Sequence, residues 1–325
     1  MTKKTNSFNR GYLIALVRAM FLSTTAILIR HLTVVYQIPA LVLAFWRNVF
    51  VVFTLLIVFA IIRPVLLKVD RRHLLYLVFY GLLLALFNSL WTLSVSLNGA
   101  AVATVLVYSS SAFTVLLAWW LLKETLGWVK LLAVALCVGG CVLVSDALDP
   151  ASWLTNWVSI LTGVLAGLSY AIYSLMGRSA SQRGLNPWTT LVYIFGFAAI
   201  FLLIINLLPL QFLPGKAAQP VDLFWLKDSW VGWGILILLA AVPTVAGFGL
   251  SLVSLTFLPS GIANLIATTE PVFTAITAYL FLGERLTAPQ MMGGLLILSG
   301  VVFIRFYEGW IEKNQSVPSP LEGLE

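Results

Sequence analysis

Three ionisable side chains stand inside long apolar stretches of this sequence: Arg18, Arg47 and Glu270. A charged group surrounded by lipid is costly, so such groups usually face a polar cavity or one another. Glu270 lies near the middle of its stretch, whereas each arginine lies roughly 10 Å from one end and could also reach the membrane surface. We expect Arg18, the closer in depth, to be the partner of Glu270. Two arginines against one glutamate favour a carboxylate-bearing solute over a bare cation.

Pro271 directly follows Glu270. A proline within a helix removes one backbone donor and frees a carbonyl, which a membrane tolerates only where a neighbour or water satisfies that group. We therefore predict a hinge at Pro271.

Uncharged polar residues recur at helical spacing in neighbouring stretches. Thr104, Tyr108 and Ser111 follow the i, i+4, i+7 pattern that places side chains on one face of a helix. The other predicted residues of a polar pathway are Trp91, Asn88, Ser251, Asn264 and Thr268. Singly, such groups often serve only as hydrogen bonds between packed helices, so the pathway is predicted from the whole set.

Sequence patterns of catalysis are absent. The chain has no H-E-x-x-H, Walker A or G-x-S-x-G motif, and Cys137 and Cys141 lack metal-binding spacing. We therefore expect no enzyme activity, no metal and no cofactor, with proton coupling through Glu270 left open.

The composition identifies the class of protein that must position these residues. Of 325 residues, 61% are hydrophobic and 10% are charged, against about 45–50% and 25% in soluble domains. The apolar residues fall in blocks of the length that a membrane-spanning helix requires. These values exclude a soluble enzyme and a nucleic-acid-binding module, despite the net charge of +7.

The blocks predict an all-α membrane protein with ten transmembrane helices. Their expected bounds are 11–32, 40–62, 74–95, 100–122, 127–145, 157–177, 187–208, 232–256, 261–283 and 288–306. We expect a first repeat over 11–145, a linker over 146–156 and a second repeat over 157–306, flanked by a cytoplasmic N-terminus (1–10) and a disordered cytoplasmic tail (307–325).

Basic residues orient these helices. With the N-terminus in the cytoplasm, inside segments hold 13 Lys and Arg and outside loops hold four. This bias follows the positive-inside rule. Both termini are therefore predicted to be cytoplasmic, in a multi-pass protein of the plasma or inner membrane.

An internal repeat relates the two halves. When the chain is shifted by 160 residues, 101–126 falls on 261–286 with seven identities, including Glu124 on Glu284. Because each half holds five helices, the second half must begin on the opposite side of the membrane. The halves should then be inverted around a central cavity, as in secondary transporters.

These features resemble the EamA-type drug/metabolite transporter superfamily. The resemblance rests on Lys-Glu-Thr-Leu at 123–126, Gly-Glu-Arg-Leu at 283–286, Glu-Pro at 270–271 and Phe-Trp-Arg at 45–47, and it covers 11–306. It implies ten helices in two inverted repeats and export or exchange of small metabolites, often amino acids. Ser111 stands where the first repeat commonly has proline, so a bend there must come from serines or be absent.

We therefore expect a secondary transporter that exports or exchanges a small amphipathic metabolite, with an amino acid favoured. The alternatives are an antiporter for a phosphate-bearing solute of the nucleotide-sugar type, an intramembrane enzyme and a receptor that does not transport. The expected partners are a small-molecule substrate and the lipid bilayer, with no nucleic acid; a monomer is compatible with the sequence.

Overall fold

The computed structural model describes residues 2–123, 127–145, 150–209, 213–258 and 260–315. Every regular element within these ranges is helical, without strands. The helices are α1 Thr2–Val35, α2 Ala40–Ile62, α3 Leu74–Asn98, α4 Ala100–Tyr108, α5 Ser110–Leu122, α6 Trp128–Val144, α7 Pro150–Gln182, α8 Pro187–Leu207, α9 Trp230–Leu239, α10 Gly247–Phe257, α11 Ser260–Ala267, α12 Glu270–Leu282 and α13 Ala288–Gln315. A π-helical segment, Ala240–Ala246, joins α9 to α10, and short 3₁₀ turns occupy Pro64–Leu67, Arg71–His73 and Pro220–Phe224.

Seven helical segments of the described chain are long and apolar enough to cross a membrane. They are Arg10–Val35, Ala40–Ile62, Arg71–Asn98, Ala100–Trp120, Trp157–Gln182, Pro187–Leu207 and Trp230–Ser251. Three shorter apolar helices follow the same pattern: Trp128–Val144, Glu270–Leu282 and Ala288–Ile304. The chain is thus a helical multi-pass membrane protein, while the count of ten spans remains a prediction.

Several helices continue beyond the bounds predicted from apolar content. Helix α13 runs to Gln315, so 307–315 is helical and not part of a disordered tail. Helix α7 starts at Pro150, inside the predicted linker, and α1 starts at Thr2, inside the predicted N-terminal segment. Apolar content marks only the part of a helix that lies in lipid, and polar helix formers extend it into water. Residues 146–149 and 316–325 lie outside the described ranges.

Two of the predicted spans are interrupted near their middle. The first break separates α4 from α5 at Ser109, whose hydroxyl donates to the carbonyl of Leu106 at 2.6 Å. The second separates α11 from α12 at Thr268–Thr269, and the Thr269 hydroxyl donates to Ile266 at 2.7 Å. Ser109 and Thr269 are aligned in the internal repeat, as are Leu106 and Ile266. The break in the first half therefore falls at a serine, in a stretch that contains no proline.

Glycines allow the broken helices and their neighbours to pack closely. In α7, a Cβ added at Gly163 would lie 2.4 Å from the side chain of Leu106. One added at Gly167 would lie 2.5 Å from the Ser109 hydroxyl, at the break itself. Helices α6 and α13 approach in the same way, because a Cβ at Gly140 would lie 2.5 Å from the backbone oxygen of Gly293. Side chains at these positions would separate the helices.

Contacts between connections define two ends of the bundle. The Thr189 hydroxyl at the start of α8 donates to Leu66 at 2.8 Å, which places the 63–73 connection beside the 183–186 turn. We call this the basic end, because the 63–73 connection, the 183–186 turn and the nearby Arg10 all carry basic side chains. At the opposite end, the indole of Trp225 donates to the carbonyl of Tyr36 at 3.0 Å.

Candidate functional site

A cavity of about 860 Å³ lies between the broken helices and α1, α2, α3, α7 and α10. It begins at the basic end with Lys130 and the exposed side chain of Arg178. Its polar and charged lining residues are Arg18, Thr25, Arg47, Thr104, Tyr108, Ser110, Ser111, Thr114, Lys130, Tyr170, Ser174, Arg178, Thr244, Ser251, Thr268 and Glu270. Together with the apolar residues of the lining, these groups suit a small amphipathic solute.

Glu270 is the acidic residue of this lining, at the first position of α12. Its Oε2 accepts a hydrogen bond from the Tyr108 hydroxyl at 3.1 Å. The same hydroxyl contacts the carbonyl oxygen of Ala267 at 2.7 Å. That carbonyl is the group that Pro271, four residues later, leaves without a backbone donor. Tyr108 thus satisfies the carbonyl at one helix break from the end of α4, immediately before the other break.

Arg18 and Arg47 line the same cavity, and each has a buried nitrogen without a hydrogen-bond partner among the described residues. The ion pairs formed by the described residues are Arg30–Glu284 and Arg72–Asp70. The predicted pair of Arg18 with Glu270 is therefore not in ion-pair contact in this structure. Arg47 is 7% exposed, and its Nε and Nη1 have no hydrogen-bond partner among the described residues.

Most of the predicted pathway residues lie on one surface. The lining includes Arg18, Arg47, Trp91, Thr104, Tyr108, Ser111, Ser251, Thr268 and Glu270. The prediction places Asn88 in the pathway, but its buried amide donates to Asn48 at 3.0 Å and does not line the cavity. Asn88 therefore joins α3 to α2. The side chain of Asn264 lies outside the described part of the structure. Pro271 is buried beside the second break.

The sequence pattern did not indicate several lining residues. Thr244 is the clearest, because it lies in the π-helical segment and its hydroxyl donates to Leu239 at 3.0 Å. Pro243 within an apolar stretch was the available signal, since π-bulges and mid-helix prolines commonly occur at functional sites. Arg178 and Lys130 are among the basic residues that orient the helices, and both also line the cavity, at its basic end.

Aromatic rings form one wall of the cavity and extend to a second, smaller cavity. Phe87 and Tyr170 have ring centroids 5.1 Å apart, and Tyr173 lies 5.8 Å from Tyr170. The second cavity, of about 190 Å³, has a mostly apolar lining that includes Tyr80 and Tyr173. It shares Phe248 and Ser251 with the main cavity. A solute with one polar end and one apolar end could use both spaces.

The opposite end is held by a charged cluster that does not line the cavity. Glu284, beyond α12, accepts hydrogen bonds from the backbone N–H of Ala100 at 2.9 Å and of Ala101 at 3.2 Å, at the start of α4. Its Oε1 lies 3.3 Å from Nε of Arg30, which also donates to the carbonyl of Ser96. A carboxylate at a helix N-terminus is stabilised by the unpaired N–H groups and the helix dipole.

Comparisons with known proteins place these features in context. The model of the EamA-like transporter family matches residues 9–146 and 157–306. An uncharacterized transporter from Archaeoglobus fulgidus is 30% identical over 67% of this chain and 73% of its own length. The threonine/homoserine exporter RhtA from Salmonella typhimurium is 27% identical over 75% of each chain. A solved crystal structure at 15% identity shares the fold, with a TM-score of 0.57 over 92% of this chain and 98% of that one.

Proposed function

The chain belongs to the EamA-like transporter family, and we propose that it exports or exchanges a small amphipathic metabolite, an amino acid being the favoured class, by alternating access. The family and its named transporters imply a small-molecule substrate and a membrane-embedded protein. The observation that carries the finer proposal is the cavity at the two helix breaks, where Glu270 and Tyr108 meet.

The proposed architecture is ten transmembrane helices in two inverted halves. Two matched segments of similar length support it, as do the aligned breaks at Ser109 and Thr269. We propose that the protein lies in the plasma membrane with both termini in the cytoplasm, so that the basic end faces the cytoplasm. The structure would then correspond to the inward-open state, with the cavity reached past Arg178.

An amino acid fits the lining in charge and shape. The cavity presents a carboxylate at Glu270, guanidinium groups at Arg18 and Arg47, and an aromatic wall that continues into the apolar side cavity. The printed name of RhtA concerns threonine and homoserine, which supports this class. The further basic groups, Arg178 and Lys130, lie at the mouth, so a phosphate-bearing solute is less well served because it needs several donors at one point.

Energy would come from a gradient, and Glu270 is the proposed proton- or substrate-linked group. A carboxylate within the bilayer is costly when charged, so proton or substrate binding there would change the stability of the two access states. No enzyme activity and no cofactor are proposed, because the family relatives are named transporters.

The proposal is tested by flux into liposomes with the purified protein and each of the twenty amino acids. For the amino acid that wild type carries, we expect Glu270→Gln to lower the flux at least about tenfold while the melting temperature changes little, since Gln keeps the shape. Asp228→Asn, at an exposed loop position, should transport normally. Unchanged flux in Glu270→Gln would refute the role of Glu270. Flux of no amino acid by wild type would refute the substrate class.

A further inference from the structure

Arg47 is a buried cation without a counter-charge in the described structure. It lies on α2 with 7% of its surface exposed, and both Nε and Nη1 are buried without a hydrogen-bond partner. Glu270, the acid of the cavity lining, accepts its described hydrogen bond from Tyr108 and forms no described ion pair with Arg47. A desolvated and unpaired guanidinium is strongly unfavourable in a protein interior, and a bound anion would remove that penalty.

The polar groups beside Arg47 are committed to structure. The amide of Asn48 donates to Ala44 at 2.6 Å and its oxygen accepts from Asn88 at 3.0 Å. The indole of Trp46 donates to the carbonyl of Leu223 at 2.6 Å. Arg47 is therefore held on a well-packed helix and lines the cavity, while its buried Nε and Nη1 have no partner among the described residues.

The position of Arg47 places it far from the cavity mouth. It is seven residues from the start of α2, at the opposite end, which corresponds to about 10 Å along the helix. Trp91 and Thr104 lie at comparable depth from that end and line the same cavity. A solute that enters at the basic end would reach Arg47 at the far end of the cavity.

We propose that Arg47 binds the carboxylate of the transported solute, and that this requirement defines the substrate class as carboxylic acids. A guanidinium presents parallel N–H donors that match the two oxygens of a carboxylate, and this geometry distinguishes it from lysine. Cationic solutes without an acid group, such as amines and quaternary ammonium compounds, would leave Arg47 unpaired and would be excluded. The inference rests on the proposed transport function and assigns one end of its substrate.

The experiment compares each of the twenty L-amino acids with its α-amide, which keeps the shape and removes the carboxylate. Stabilisation of the purified full-length protein against thermal unfolding reports binding. Wild type should bind the acid at least about tenfold more tightly than the amide. Arg47→Gln should bind acid and amide equally, and Arg47→Lys should weaken acid binding about tenfold without affecting the amide. The exposed Arg71 supplies the control Arg71→Gln, which should behave as wild type.

The outcomes separate this assignment from the wider proposal. If amino acids are bound and Arg47→Gln still prefers acid over amide as wild type does, Arg47 is not the anchor and the transport function stands. If no amino acid binds, the pairs propionate with propionamide and benzoate with benzamide replace them. If wild type prefers the acid over the amide and Arg47→Gln shows no such preference, the role of Arg47 is supported without the amino-acid proposal. If wild type and Arg47→Gln show the same preference, the role of Arg47 is overturned. If Arg47→Gln does not unfold cooperatively, the loss expected in Arg47→Lys decides.

Discussion

Tyr108 lies between the two helix breaks and contacts groups on both sides of the second one. Its hydroxyl lies 2.7 Å from the carbonyl of Ala267 and 3.1 Å from Glu270. A tyrosine carries one hydroxyl hydrogen, so the carbonyl and the carboxylate compete for it. A change in the charge or position of Glu270 would therefore alter the support of the carbonyl that Pro271 leaves free. This is a physical link between solute binding and the second helix break.

We predict that Tyr108→Phe loses both stability and transport. Removing the hydroxyl leaves the Ala267 carbonyl without its donor, at a cost of about 1–3 kcal/mol for an unsatisfied buried group. The melting temperature should fall, and flux of the transported amino acid should fall by at least about tenfold. Thermal unfolding and liposome flux measure the two effects.

Tyr193→Phe is the matched control. The Tyr193 hydroxyl also donates to a backbone carbonyl, that of Leu67 at 2.9 Å, but at the basic end and outside the cavity lining. It should lose stability while retaining flux. If Tyr108→Phe transports as well as Tyr193→Phe, the link through Tyr108 has no part in transport.

Residue types alone predicted much of the site, and the limits are instructive. Glu270 and Arg47 were found because a charge in an apolar stretch is costly wherever the helix points. Asn88 lies outside the cavity lining, since an amide can line a cavity or join two helices and here it bonds the neighbouring Asn48. Arg178 was missed because a basic residue near a helix end has an ordinary explanation in membrane topology.

At the level of helices, the sequence predicted long apolar helices and one of the two breaks. Pro271 indicated the second break, yet the first depends on Ser109, one of three consecutive serines. A serine that bonds its own backbone can bend a helix or merely sit in it. Likewise, the contact of Glu284 with Ala100 joins residues far apart in the chain, and no local pattern could have indicated it.

The contact between Glu284 and the start of α4 makes a prediction about how the opposite end is held. Glu284→Gln removes the charge that pairs with Arg30 and favours the helix N-terminus. We expect the contact of Glu284 with the start of α4 to become less stable by about 1–2 kcal/mol, which corresponds to a roughly tenfold shift toward opening of this end. Hydrogen–deuterium exchange of the peptide that contains Ala100 and Ala101 should accelerate accordingly.

The neighbouring Arg285→Gln provides the comparison, because Arg285 is exposed and forms no described ion pair. Exchange at the start of α4 should match wild type in that variant. Equal exchange in Glu284→Gln and wild type would show that the carboxylate does not hold this end closed.

For the whole molecule, the central claim is that one cavity is reached from the two sides of the membrane in turn. The cavity mouth lies at the basic end, between α6 and α7, while the opposite end is joined across the two halves by Glu284. Inverted halves can exchange these roles by moving against each other. The two ends must then change their spacing in opposite senses.

Distances between spin labels at each end test this most directly. In a background with Cys137 and Cys141 replaced by alanine and shown to transport, one pair is placed at the exposed positions Trp128 and Arg183, beside the cavity mouth. A second pair is placed at the exposed positions Leu97 and Arg285, at the opposite end. The distance within each pair is measured by double electron–electron resonance in lipid nanodiscs, with and without the transported amino acid.

We predict that the amino acid populates a state in which the distance at the basic end shortens while that at the opposite end lengthens. Glu270→Gln in the same background should show neither change. If both distances remain fixed, or change in the same direction, in protein that transports normally, the account of a single cavity with alternating access is contradicted.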